Sequence, residues 1–134
     1  MDSKQFGFFG EGIALKYLRD KGYQILDKNY SPSRKIAGRG PKRGEIDIVT
    51  KKDDIISFVE VKTLNKTSGE PFSAISPEEK VDYLKRKKLI KMAKLWLMEK
   101  KIPLETKWQI DVIAIKADFN NKLAKIRHFQ NAIY

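Results

Sequence analysis

Cysteine is absent from the 134 residues and histidine occurs once, as His128. The first absence excludes a disulfide framework, a thiolate zinc site and a cysteine nucleophile. The second excludes a histidine-rich metal site and leaves a serine–histidine triad without support. No apolar run approaches the roughly 18 residues that span a bilayer. The opening residues Met1 to Gln5 lack the apolar core of a secretion signal. A cytoplasmic protein that spans no membrane is therefore expected. Acids are scarce too: 17 Asp+Glu stand against 28 Lys+Arg, a net charge of +11. Such an excess favours a polyanionic partner, nucleic acid or an anionic membrane. No strongly amphipathic basic helix stands free of the core, so DNA is the expected partner and a membrane is not. The length suits a single domain over residues 1–134.

The charge is unevenly spread. Residues 31–43 carry five bases and no acid, whereas residues 44–79 carry four bases and eight acids. Residues 80–101 carry nine bases and two acids. An acidic island thus lies between two basic blocks.

Phe6, Phe9, Ile13, Ala14, Tyr17 and Leu18 recur at helical spacing, which predicts an amphipathic helix over about 3–21 stopped by Gly22. Tyr23 to Tyr30 reads as a strand. The segment 31–43 holds two prolines and two glycines and reads as a loop, either a flexible phosphate clamp or a disordered insertion. Gly44 to Thr50 and Ile55 to Leu64 are strand-like runs flanking a turn at Lys51 to Asp54. A loop around Gly69 leads to Ser76-Pro77-Glu78-Glu79, which has the form of an N-cap, N1 proline and capping box. The helix that follows is expected to reach about Lys100 and to bury Val81, Leu84, Leu89, Ala93, Trp96 and Leu97. Trp108 to Ile115 and Leu123 to Phe129 are expected to form a second hairpin. The result is an α/β fold in the order α-β-β-β-α-β-β, a mixed central sheet flanked by helices.

Strand geometry gives the acidic island meaning. Residues two apart share a face, so Glu45 pairs with Asp47, and Glu60 with Lys62. A two-residue turn at Asp53-Asp54 would set Asp47 opposite Glu60 and Glu45 opposite Lys62. Two carboxylates about 5 Å apart repel by about 3 kcal/mol at an effective dielectric near 20. A hard cation such as Mg²⁺ or Mn²⁺ offsets that repulsion, and a nearby lysine can stabilise negative charge on a phosphate. A polar outer face crossed by ordinary Glu–Lys pairs fits the same alternation.

Asp47 followed after a spacer by Glu60-Val61-Lys62 resembles the PD-(D/E)xK signature of restriction-endonuclease-like nucleases. Gly44-Glu45-Ile46-Asp47 with Phe58-Val59-Glu60-Val61-Lys62 more closely resembles the bacterial YraN-like family, which is similar to archaeal Holliday junction resolvases. Gly10-Glu11, Gly22-Tyr23, Asn29, Gly69, Lys85, Leu95-Trp96-Leu97, Asp111-Val112 and Asn131-Ala132 extend the resemblance over nearly the whole chain. It implies a restriction-endonuclease-like core with Asp47, Glu60, the Val61 carbonyl and Glu11 as ligands of Mg²⁺ or Mn²⁺. Lys62 would be the catalytic lysine, Glu45 an additional member of the site, and Lys85 a lysine close to the phosphate. The implied activity is metal-dependent endonucleolytic cleavage of DNA, including branched or junction DNA. Retention of the fold for DNA binding without turnover is the alternative. Resolvase-like enzymes act as dimers on two-fold symmetric junctions, so a homodimer enters the expectations although no dimer surface is legible. Two departures stand out: the basic segment 31–43 is longer than the pattern requires, and Gln109-Ile110 replaces an Arg-Phe pair. The latter leaves Asp111 out of the expected site.

For phosphate contacts the candidates are Arg34, Lys35, Arg39, Lys42 and Arg43 in the loop, and Lys85 with Lys88 on the second helix. Lys85, Lys88 and Lys91 are taken to share one helical face by their spacing of three. Trp96 is assigned to the core, and His128 to a structural or exposed position.

Overall fold

In a computed structural model the described residues are 3–32, 44–65, 83–118 and 121–133. The element order is the expected one: α1 (Ser3–Asp20), β1 (Gln24–Tyr30), β2 (Ile46–Lys52), β3 (Ile55–Asn65), α2 (Tyr83–Glu99), β4 (Lys107–Asp118) and β5 (Leu123–Ile133). The strands form one five-stranded mixed sheet in the order β1-β2-β3-β4-β5. Only β3 and β4 pair in parallel; the other three pairs are antiparallel. The sheet of a restriction-endonuclease-like α/β core is therefore present, with a helix on each face. The proposed N-cap at Ser76, its capping box, the loop around Gly69 and Val81 lie outside the described residues, as does the Leu84 side chain.

Two cores separate across the sheet. On one face Leu89, Met92, Ala93 and Trp96 of α2 pack against Ile46, Val49, Ile56, Phe58 and Ile110. On the other, Ala14 and Leu18 of α1 pack against Ile48, Val59, Ile113 and Ile115. Trp96 is core as expected, and its indole N–H finds Asp27 Oδ2 at 3.0 Å. A buried indole needs such an acceptor.

Helix α1 ends as its glycine predicts. Gly22 has φ +90°, Tyr23 N–H donates to the Leu18 carbonyl, and Gly22 N–H donates to that of Arg19. This is a Schellman cap, and the left-handed position favours glycine. Helix α2 ends by the same bonds, Ile102 to Leu97 and Lys101 to Met98, but its left-handed residue is Lys101 at φ +54°. A side chain there costs about 1 kcal/mol, partly offset by the greater freedom of an unfolded glycine. Lys101→Gly is therefore expected to stabilise the fold by roughly 0.5 kcal/mol, visible as a higher urea midpoint at unchanged slope. A lower midpoint would contradict this reading of the cap.

The β2–β3 hairpin turns through Asp53 and Asp54, both with positive φ (51° and 63°). That is the conformation of a type I′ turn, whose twist suits a two-residue hairpin. The ladder runs from Lys52↔Ile55 to Ile48↔Val59. It stops one step before Asp47 and Glu60.

One expectation about the faces needs correction. Strict alternation would place Ile46 with Ile48, yet Ile46 joins the α2-side core and Ile48 the α1-side core. Asp47 sits at this change of face. The neighbouring strand bends at the same level, where Asn29 adopts φ +51° between the partners of Ile48 and Ile46.

Candidate metal centre

The end of the β2–β3 ladder is where the acids collect. With no ladder partner at this level, the Val61 N–H donates to Asp47 Oδ2 at 2.7 Å. A carboxylate takes the place of a strand carbonyl, which ties β2 to β3 and fixes the Asp47 side chain. Glu60, between Val59 and Val61 of the α1-side core, points to the α2 side. There Lys85 of α2 reaches it, with Nζ 2.5 Å from Oε1. The glutamate is buried and the lysine half-exposed.

Glu11 arrives from α1. The helix approaches β3 closely because residue 10 is glycine: a methyl group at Gly10 would overlap Thr63 Oγ1 and press on its Cβ. Glu11, Glu45 and Asp47 thereby place one carboxylate oxygen each within 4.8 Å of one another. Three segments distant in sequence converge. Exchange of Gly10 for alanine would gain about 1 kcal/mol of helix propensity but overpack a contact at a cost of 1–3 kcal/mol. Because the overlap with Thr63 is severe, the upper half of that cost applies, and the expected sum for Gly10→Ala is a loss of roughly 1–2 kcal/mol, read as a lower denaturant midpoint. Unchanged stability would show that α1 does not depend on this approach.

The electrostatics follow from the crowding. Burial, reinforced by Glu60 and Glu11, pushes the Asp47 carboxyl up to about 8, against a lowering influence from the Val61 N–H and Lys85. Glu60 is raised by burial, with Lys85 opposing. Burial raises Glu11 as well, with Glu45 and Glu60 adding to it. All three therefore hold protons more readily than free carboxylates. The donor set is oxygen only, which suits a hard divalent cation rather than a thiophilic or imidazole-seeking one.

Glu11, Glu45 and Asp47 come together, and Glu60 stands beside them in a pair with Lys85. Val61 contributes its N–H to Asp47; this fixes the backbone at the residue whose carbonyl was the expected ligand. Lys62 lies half-buried on β3 and has no ion pair or hydrogen bond among the described residues. Lys85, Lys88 and Lys91 do not share one face. Successive steps of three residues drift by about 60° around a helix, so Lys85 turns toward the sheet with Leu89, Met92 and Trp96, while Lys88 and Lys91 are exposed. Arg34, Lys35, Arg39, Lys42 and Arg43 lie outside the described residues.

His128 is structural, as expected, but not isolated. Its Nε2 lies 2.7 Å from Asp111 Oδ2, and Tyr17 Oη is 3.1 Å from Nδ1. Asp111 is fully buried and also accepts from Gln109 Nε2 and the Asn131 N–H, both at 2.9 Å. Its carboxylate is thus committed to this network, on the α1 side of the sheet. Sequence reasoning had no handle on the pairing, because the two residues meet across a hairpin with an irregular register between Ile110 and Val112.

A model of the family described as "Uncharacterised protein family UPF0102" matches residues 10–115. The chain belongs to this family. A UPF0102 protein of Alkaliphilus oremlandii is 35% identical over 130 residues, covering 97% of this chain and 98% of that protein. A UPF0102 protein of Clostridium tetani is 40% identical over 119 residues, covering 89% and 84%. A Campylobacter fetus UPF0102 protein is 34% identical over 129 residues, covering 96% and 94%. The match answers the YraN-like resemblance of the sequence, and its span takes in every member of the acidic cluster. Among the described residues no helix is long and apolar enough to cross a membrane.

Proposed function

We propose that this UPF0102 protein is a metal-dependent endodeoxyribonuclease of the PD-(D/E)xK type, acting on DNA, with branched or junction DNA among its candidate substrates. The reading rests on one observation above all: Glu11, Glu45 and Asp47 converge from α1, the residues before β2, and β2 itself, beside the buried Glu60. Crowded carboxylates that resist ionisation are what a divalent cation relieves.

Asp47, Glu60, Glu11 and the Val61 carbonyl would hold Mg²⁺ or Mn²⁺, with Glu45 an additional carboxylate within reach. A bound ion of this class supplies an acidified water and neutralises phosphate charge. Lys62 follows Glu60 by two residues on β3, and its ammonium would donate to a phosphate oxygen and stabilise the charge that develops on it. The exposed Lys85 to Lys88 run at the start of α2 would grip phosphates of the flanking backbone, holding DNA with little sequence reading.

The test is cleavage of branched, flapped and linear DNA with Mg²⁺ or Mn²⁺, comparing wild type with Glu60→Ala and Lys62→Ala. Cleavage that falls to background in both variants is expected. Activity unchanged by either substitution would overturn the assigned mechanism. Salt-sensitive DNA binding without any metal-dependent cleavage would assign the chain instead as a non-catalytic nucleic-acid-binding protein.

A further inference from the structure

Glu60 is already partnered by a cation of the chain itself. Its side chain is 8% exposed and cannot leave the sheet, whereas that of Lys85 is 51% exposed and enters from solvent on a flexible stem. Lys85 sits one turn before Leu89, on the side of α2 that packs against the sheet, so the helix aims it at the site. Its neighbours Arg86, Lys87 and Lys88 are exposed around the same helix end. An ammonium that is half in water and half on a buried carboxylate is the group most easily moved when a doubly charged ion arrives.

We propose that Lys85 is an internal counter-ion that a divalent cation displaces from Glu60, and that the displaced ammonium then binds a phosphate of the DNA backbone. The proposal rests on the reading of the carboxylate cluster as a metal centre. Without the metal, the ion pair keeps Glu60 compensated beside the crowded carboxylates of Asp47, Glu45 and Glu11. With the metal bound, Glu60 has a stronger partner, and Lys85 joins the basic run of α2 beside the scissile region. Metal binding and DNA binding are then coupled through one side chain, each favouring the other.

Opposite effects of one substitution make this testable. In calorimetric titration of the full chain with Mn²⁺ and no DNA, Lys85→Met is expected to bind the ion about tenfold more tightly, because a competing positive charge a few ångströms away is gone. Lys85→Arg keeps the charge and is expected to stay near wild type. Binding of a labelled four-way DNA junction should weaken about threefold or more in Lys85→Met when Ca²⁺ fills the site, the loss of one phosphate contact. In EDTA the same substitution should leave junction binding unchanged, since Lys85 is then held by Glu60. Weaker or unchanged Mn²⁺ binding by Lys85→Met would overturn the exchange while leaving the metal centre intact. An equal loss of junction affinity with and without Ca²⁺ would do the same. Absence of Mn²⁺ binding by the wild-type chain would overturn the metal centre itself, and the exchange with it.

Discussion

At pH 8 without divalent metal, Asp47→Asn is expected to melt above the wild-type protein, and with millimolar Mn²⁺ the order is expected to reverse. Asp47 titrates near 4 in an unfolded chain, but burial and the neighbouring carboxylates push it up to about 8 in the fold. Between those values unfolding releases a proton. The stability associated with protonated Asp47 is therefore complete below about pH 4, falls as pH rises toward about 8, and levels off beyond. Asparagine is neutral throughout and can still accept the Val61 N–H, so it removes this fall. Because the shift is shared with Glu60 and Glu11, the gain at pH 8 should be a fraction of the full effect, roughly 1–3 kcal/mol. For a chain of this size that is roughly 3 °C or more in Tm. Mn²⁺ at about a hundred times its dissociation constant should stabilise wild type by about 2.7 kcal/mol through mass action and leave the variant unmoved. Melting curves at pH 5 and 8, with and without Mn²⁺, give all four values. A variant less stable than wild type in metal-free buffer at pH 8, or one raised equally by Mn²⁺, would show that Asp47 is an ordinary structural carboxylate.

The half of the site on the β2–β3 hairpin was legible because a two-residue turn leaves one register. Asp53-Asp54 centres the ladder, and Asp47 and Glu60 come level at its open end. Hydrophobic periodicity located α1, and the apolar runs located the strands, because one or both faces of each are buried. The faces at Ile46 and Asp47 were not legible. Alternation assumes an unbroken strand, and this one changes face beside the left-handed Asn29. The direction of Lys85 was missed for a similar reason, since a spacing of three keeps helical residues only loosely aligned. Convergence of Glu11 on Asp47 depends on how closely α1 can approach β3, which is a matter of the missing side chain at Gly10 and not of any pattern in charge. Local chemistry and the family resemblance thus singled out the candidate residues, and packing decided which of them meet.

The largest loss of stability is expected away from the acidic cluster, at Asp111→Ala. Asp111 is wholly buried and accepts from three donors: Gln109 Nε2, His128 Nε2 and the Asn131 N–H. Gln109 is only partly buried and can turn to water. The Asn131 N–H is fixed by the backbone, at a residue held in φ +49°, and the His128 ring is 6% exposed. Truncation leaves both of these without an acceptor and opens a cavity, at a combined cost of about 3–5 kcal/mol. Against a total stability of roughly 5–15 kcal/mol, that is a loss of about 10 °C or more in Tm. Asp111→Asn should cost much less, because its carbonyl still serves Asn131 and the imidazole can take the other tautomer, with Nε2 accepting from the new amide and Nδ1–H donating to Tyr17 Oη. The damage should also travel along the network. Tyr17 stands on α1 and is hydrogen-bonded toward Asp111 through His128, so loss of the carboxylate loosens the helix that carries Glu11. Amide exchange in α1 should therefore accelerate more in Asp111→Ala than in Asp111→Asn, beyond the difference set by global stability. If alanine costs less than about 1 kcal/mol, or if α1 stays as protected as the rest of the sheet, the network is not what seats this helix.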